Sequence, residues 1–192
     1  MNTPRRGFTI VELLIVIVVV AVLAAISVVA YNGIQTRSKN AAKVATVRSA
    51  VKLIRLYHAE LGTYPRSQAT GDFCLTVDSL CTNYAGAVNP SNNTPLISEL
   101  SSYGTLPAHS GDATTAERYG ITYSYIADRT FESQTNPVLV MFFLEGTNQV
   151  CTGLVPSMIS VADSGVARNF APATRSSGNA GGKTRCYMMF PN

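Results

Sequence analysis

From Leu13 to Ala30 every position is apolar except Ser27. A helix of that length rises about 27 Å, and adding Phe8, Ile10 and Val11 reaches the roughly 30 Å of a bilayer's hydrocarbon core. The pattern predicts a membrane span or an export signal and excludes a core helix of a soluble domain. Beyond Tyr31 the chain does not break. Gly33 is the one helix-weakening residue before Leu61, and Val44, Val47, Val51, Ile54, His58 and Leu61 recur at spacings of three and four. That is one face of a helix. One helix from Phe8 to Leu61 is therefore expected, about 80 Å long. Its first half is apolar all round, and its amphipathic second half needs a surface to lie against. Gly62 is placed to end it, and Pro65 blocks its continuation.

Downstream the period changes. DSLCTNYA (Asp78 to Ala85) suggests a short helix. TPLISELSSYG predicts a better one, with Thr94 as N-cap, Pro95 at the first helical position and Gly104 past the end. Three stretches read as strands: ITYSYIA (Ile121 to Ala127), VLVMFFLEG (Val138 to Gly146) and RCYMMF (Arg185 to Phe190). The continuous apolar run of the second is that of a strand covered on both faces. SNN, ADRTFESQTN and TRSSGNAGGK are turn and loop material. The expected fold class is α+β: a long N-terminal helix on a small antiparallel sheet. Its divisions are residues 1–7, 8–31, 32–61 and a head over 62–192.

Charge adds a segregation that the net +4 conceals. Between Asn32 and Leu61 stand six bases and one acid, and from Gly62 onward seven bases and nine acids. A basic helix is thus joined to a slightly acidic head, which by itself does not indicate nucleic acid. All four cysteines, Cys74, Cys81, Cys151 and Cys186, follow the apolar run. An even number there implies two disulfides in an oxidising compartment. Of the three pairings, Cys74–Cys81 with Cys151–Cys186 is preferred, because each closes a local region without threading the other. Zinc is disfavoured, since these gaps do not match C-x2-4-C ligand pairs.

The feature that physics leaves unexplained is Glu12. A carboxylate within a span is expensive, roughly 2.5–3.5 kcal/mol at mid-bilayer and less near an interface, and it normally implies a partner. The segment GFTIVELLIVIVVVAVLAAISVVAY closely resembles the N-terminus of type IV prepilins and of the pseudopilins of type II secretion. The match covers Gly7 to Tyr31, and LYHAELGTYP (Leu56 to Pro65) resembles the helix exit of that family more weakly. The resemblance implies cleavage between Gly7 and Phe8 by a prepilin peptidase on the cytoplasmic side, then methylation of the new Phe8 amine. It further implies that Glu12 pairs with the Phe8 amine of a neighbouring subunit as an assembly machine draws it into a filament. The implied localisation is a single-pass membrane precursor with an extracytoplasmic C-terminus, then an extracellular pilus built with other pilins. Many members carry a proline where this chain has Val29 and a glycine where it has Ala21, so the helix stays continuous or loosens at Ser27 or Gly33.

Other readings carry less. Val28-Val29-Ala30 before Tyr31 fits a signal-peptidase site, but the apolar region is too long and contains an acid. An uncleaved anchor for a binding domain that never polymerises is the rival of a different class, and a secretion pseudopilin is the rival within the family. SSGNAGGKT approaches a P-loop but puts Ser177 where the first glycine is needed. His58 and His109 have no acid or cysteine arranged around them in the sequence for metal or triad chemistry. No enzyme and no cofactor are expected. Arg48, Lys52 and Arg55 share a helix face that could touch DNA, as some pilins do in DNA uptake. The favoured alternative is that they are solvated or meet acids.

Overall fold

A computed structural model describes residues 7–65, 71–78, 80–82, 94–108, 119–125, 130–131, 134–135, 138–151, 153–156, 159–161, 179–180 and 182–190. The chain forms two compact units, Met1–Ser38 and Lys39–Asn192. One helix, α1 (Ile10–Leu61), runs through both.

In the first unit every residue from 7 to 35 is exposed. Its valines and isoleucines are only moderate helix formers in water. In hydrocarbon the balance reverses, because a helix satisfies each backbone group within the segment. The few hydroxyls follow the same rule: Ser27 Oγ donates to the Leu23 carbonyl at 2.8 Å and Thr36 Oγ1 to that of Asn32 at 3.1 Å.

In the second unit α1 buries Lys43, Val44, Val47, Ala50, Val51, Leu53 and Ile54. Four of the six positions of the expected stripe are thus in the core. His58 is half-buried and stacks on Tyr64 at 4.2 Å between ring centroids. Leu61 is exposed, since the chain turns away immediately after it. Gly62 takes φ +68°, and its N–H donates to the His58 carbonyl at 2.8 Å. That left-handed conformation stops the helix where the sequence puts glycine.

Opposite this helix stand β1 (Gly71–Cys74), β2 (Ile121–Tyr125), β5 (Val138–Glu145), β8 (Lys183–Met189) and β6 (Ile159–Val161), in that spatial order and all antiparallel. β7 (Asn179–Ala180) also pairs with β8, and β3 (Thr130–Phe131) with β4 (Gln134–Thr135) forms a separate ribbon. Register sorts the side chains. Val140 faces Met188 and Phe142 faces Cys186 across β5 and β8, and all four join the helix residues in one hydrophobic core. Leu139, Met141 and Phe143 point to the other face and are buried too. A strand buried on both faces loses the polar alternation of a half-exposed one, hence the unbroken run VLVMFFL. α2 (Thr94–Ser101) adds Leu96 and Leu100 to the core.

Two expectations need correction. The described residues of Asp78–Ala85 form no helix. Leu80 N–H donates to Thr76 Oγ1, Thr82 N–H donates to the Tyr119 carbonyl, and Cys81 is tied back to Cys74. A disulfide and a strand-like bridge override a weak helix pattern there. The P-loop look-alike is partly a β-hairpin, with Asn179–Ala180 pairing against Lys183–Thr184. Its lysine is engaged in the protein, Nζ lying 3.1 Å from Glu145 Oε1.

The helix is fixed to the sheet by polar groups that its pattern did not announce. Asn40 Oδ1 accepts from the Glu145 N–H at 2.7 Å while its Nδ2 donates to the Glu145 carbonyl at 3.1 Å. The amide imitates a neighbouring strand at the end of β5. One turn on, Lys43 is buried near Lys183 and Glu145. Burial, then repulsion from Lys183, pull its ammonium down to about 8, against a smaller opposing pull from Glu145.

Candidate functional site

Thr9 immediately precedes the first helical residue, and Glu12 is the third residue of the helix. Glu12 N–H donates to Thr9 Oγ1 at 3.2 Å, and Thr9 N–H donates to Glu12 Oε2 at 3.4 Å. The Thr9 hydroxyl also donates to Oε2 at 3.4 Å. This is a reciprocal capping box, in which two otherwise orphaned backbone donors of the first turn are satisfied. The helix dipole favours a negative charge at the same end. Glu12 therefore has a reason to be there within its own chain, besides any neighbour. The sequence carried the signal, T-x-x-E ahead of an apolar run, and Thr9 is the partner of Glu12 that the sequence reading missed.

The carboxylate is only half used. Among the described residues Glu12 Oε1 has no hydrogen bond, and Gly7, Phe8 and the helix around them are exposed. None of the most apolar 18-residue window of α1 is buried. A continuous apolar surface of that size is an interaction surface for lipid or for other protein. Residues 1–6, His109 and Ser177 lie outside the described residues.

The basic face resolves into separate tasks. Arg48 Nε donates to the Leu154 carbonyl at 2.8 Å, and Arg55 Nη2 donates to that of Pro156. Both hold the loop that follows Cys151, while Lys52 between them is exposed. Cys151 is bonded to Cys186 in β8, with Cα atoms 5.5 Å apart, and Cys74 to Cys81, with Cα atoms 5.3 Å apart. The first bridge and the two arginines thus pin one loop between helix and sheet. Gly120 serves the other bridge. With φ +76°, it lies where an added Cβ would come within 2.4 Å of the Leu80 carbonyl oxygen. No group of three or more histidines, cysteines or acids is arranged for a metal among the described residues.

Residues 2–28 match the family described as the prokaryotic N-terminal methylation motif. The chain is similar to the type IV major pilin protein PilE1 of Neisseria gonorrhoeae, 26% identical over 53% of this chain and 62% of that one. A fimbrial protein of Neisseria meningitidis serogroup A is 28% identical over 41% of this chain and 46% of its own. The chain thus carries the prokaryotic N-terminal methylation motif and is similar over part of its length to type IV pilins. It spans less than two thirds of the length of these curated relatives, and no solved structure matches it significantly. Of the matched residues, 10–28 lie at the start of the long helix, within its exposed apolar N-terminal half.

Proposed function

We propose that this chain is a subunit of a type IV pilus, major or minor. Residues 1–7 are a leader removed by a prepilin peptidase between Gly7 and Phe8, and the Phe8 amine is then methylated. The span 8–31 is stored in the membrane with the head outside, then transferred by the assembly machinery into an extracellular filament that serves adhesion, twitching or DNA uptake. The observation that carries this reading is the wholly exposed apolar half of α1, headed by a glutamate with one carboxylate oxygen unused. That oxygen is free to accept from a neighbour's Phe8 amine while Oε2 keeps the first turn capped. Such a buried pair sets register more than it adds stability.

Arg48 and Arg55 are read as loop anchors and not as DNA contacts, because their guanidinium groups already donate to carbonyls of their own head. Glu12→Ala in the native host tests the reading. Leader cleavage is expected to persist while filaments seen by electron microscopy disappear. Normal filaments from that variant would remove the role of Glu12. Filaments confined to the periplasm would favour a secretion pseudopilin instead.

A further inference from the structure

The first unit of the chain carries, besides its apolar surface, a polar collar at one end. Tyr31, exposed, directly follows the last apolar residue of the run. Arg37 is exposed six residues on and makes no hydrogen bond or ion pair among the described residues. Along the helix axis Tyr31 lies about 28 Å from Glu12 and Arg37 about 9 Å beyond Tyr31. The first distance nearly equals the hydrocarbon thickness of a bilayer. With Tyr31 at one headgroup boundary, Glu12 and its Thr9 partner reach the opposite one, where a carboxylate costs least. Tyrosine suits the boundary because its ring is apolar and its hydroxyl wet. An arginine about 9 Å farther out can extend its side chain back to the phosphate layer, a snorkelling geometry.

We propose that Tyr31 and Arg37 form a headgroup collar that binds the phosphates of anionic lipids and sets the depth of α1 in the membrane. The occupant is a lipid surface because the collar lies at the end of an apolar cylinder of bilayer length and is positive. This proposal rests on the membrane-stored stage described above. It gives Glu12 a resting place that needs no neighbouring subunit: at the far boundary, the capping box with Thr9 suffices. Attraction between Arg37 and anionic lipid draws the helix inward, so that lipid charge tunes depth.

The chain contains no tryptophan, so Tyr31→Trp in the full chain gives a single fluorescent depth probe. It is reconstituted in phosphatidylcholine vesicles, with and without phosphatidylglycerol, using lipids brominated at shallow or deep acyl positions. Shallow bromines are expected to quench several-fold more strongly than deep ones. Adding phosphatidylglycerol is expected to move the probe inward in the Arg37 chain, and not in a Tyr31→Trp, Arg37→Glu chain. Strongest quenching at mid-chain, or the same lipid response in both chains, would overturn the collar. A chain that no bromine quenches and that alkaline carbonate extracts would instead overturn the membrane-stored stage itself. Intact Cys74–Cys81 and Cys151–Cys186 bridges, read by mass spectrometry, confirm that each variant has folded.

Discussion

The two parts of α1 form one helix but answer to different surroundings. Residues 10–35 are exposed on every side, whereas between Lys43 and Ile54 seven residues are buried and the rest of the circumference faces out. The first part has apolar residues where a soluble helix would have charges, and the second carries most of its charges off the packed stripe, Lys43 excepted. Helix continuity is therefore a local property, set by propensity and the lack of breakers. Partner choice is set by which side chains lie on which faces. A single secondary-structure element can thus carry an intermolecular surface and an intramolecular one.

The sharpest way to break this contrast is to truncate both kinds of apolar residue. Phe142→Ala opens the core against which α1 packs and is expected to lower head stability by about 3–5 kcal/mol. Val19→Ala, equally apolar but exposed, should leave the denaturant midpoint of the head unchanged. A comparable loss from Val19→Ala would mean that the first part is also packed within its own chain. Next in size are the bridges. Replacing Cys151 and Cys186 by serine releases a 35-residue loop and should cost about 4 kcal/mol. The same change at Cys74 and Cys81, seven apart, should cost about 2 kcal/mol. Urea titrations at fixed pH give both values, and the reverse order would contradict the loop-closure account.

Lys43 sharpens the contrast from the other side, as a charge on the packed face. Its folded pKa of about 8 lies below its ordinary value of 10.5, so between those values the unfolded chain binds more protons. Head stability should then rise with pH across that window, by up to about 3 kcal/mol. Tyr57, Tyr64 and Tyr103, whose phenols burial pushes upward, act with the opposite sign: above pH 10 the unfolded state loses protons first, and head stability falls as pH rises. Lys43→Met should abolish the rise between pH 8 and 10 and make the head more stable at pH 7. A pH-independent wild type would refute the assignment. The smallest effect is expected at the other end: Thr9→Ala removes one half of the capping box, at about 1 kcal/mol of local helix stability. Hydrogen exchange in detergent micelles should show faster amides in the first turn and no change in the head.

The helix, its end at Gly62 and the three longer strands were legible because period and punctuation report burial and turns directly. β1 was not, because Gly71 and Asp72 are poor strand formers held by pairing with Tyr125 and Ser124. β6 and β7 are three and two residues long and exist through β8. Such strands depend on a partner distant in sequence. The packed roles of Lys43 and Asn40 were not legible, since nothing local tells a lysine or an asparagine that a strand end will cover it. At the candidate site Glu12 was legible as an anomaly, and its link to Thr9 was written in the spacing. Arg48 and Arg55 were legible as a basic face, but their carbonyl partners lie about a hundred residues downstream.

The central claim is that the exposed half of α1 is a processed assembly segment. Mass spectrometry of the N-terminus of the protein taken from its native membrane tests it most directly. The account predicts a chain that begins at Phe8 and carries one methyl group on its amine. A chain that begins at Tyr31, or that retains residues 1–7 without methylation, would contradict it.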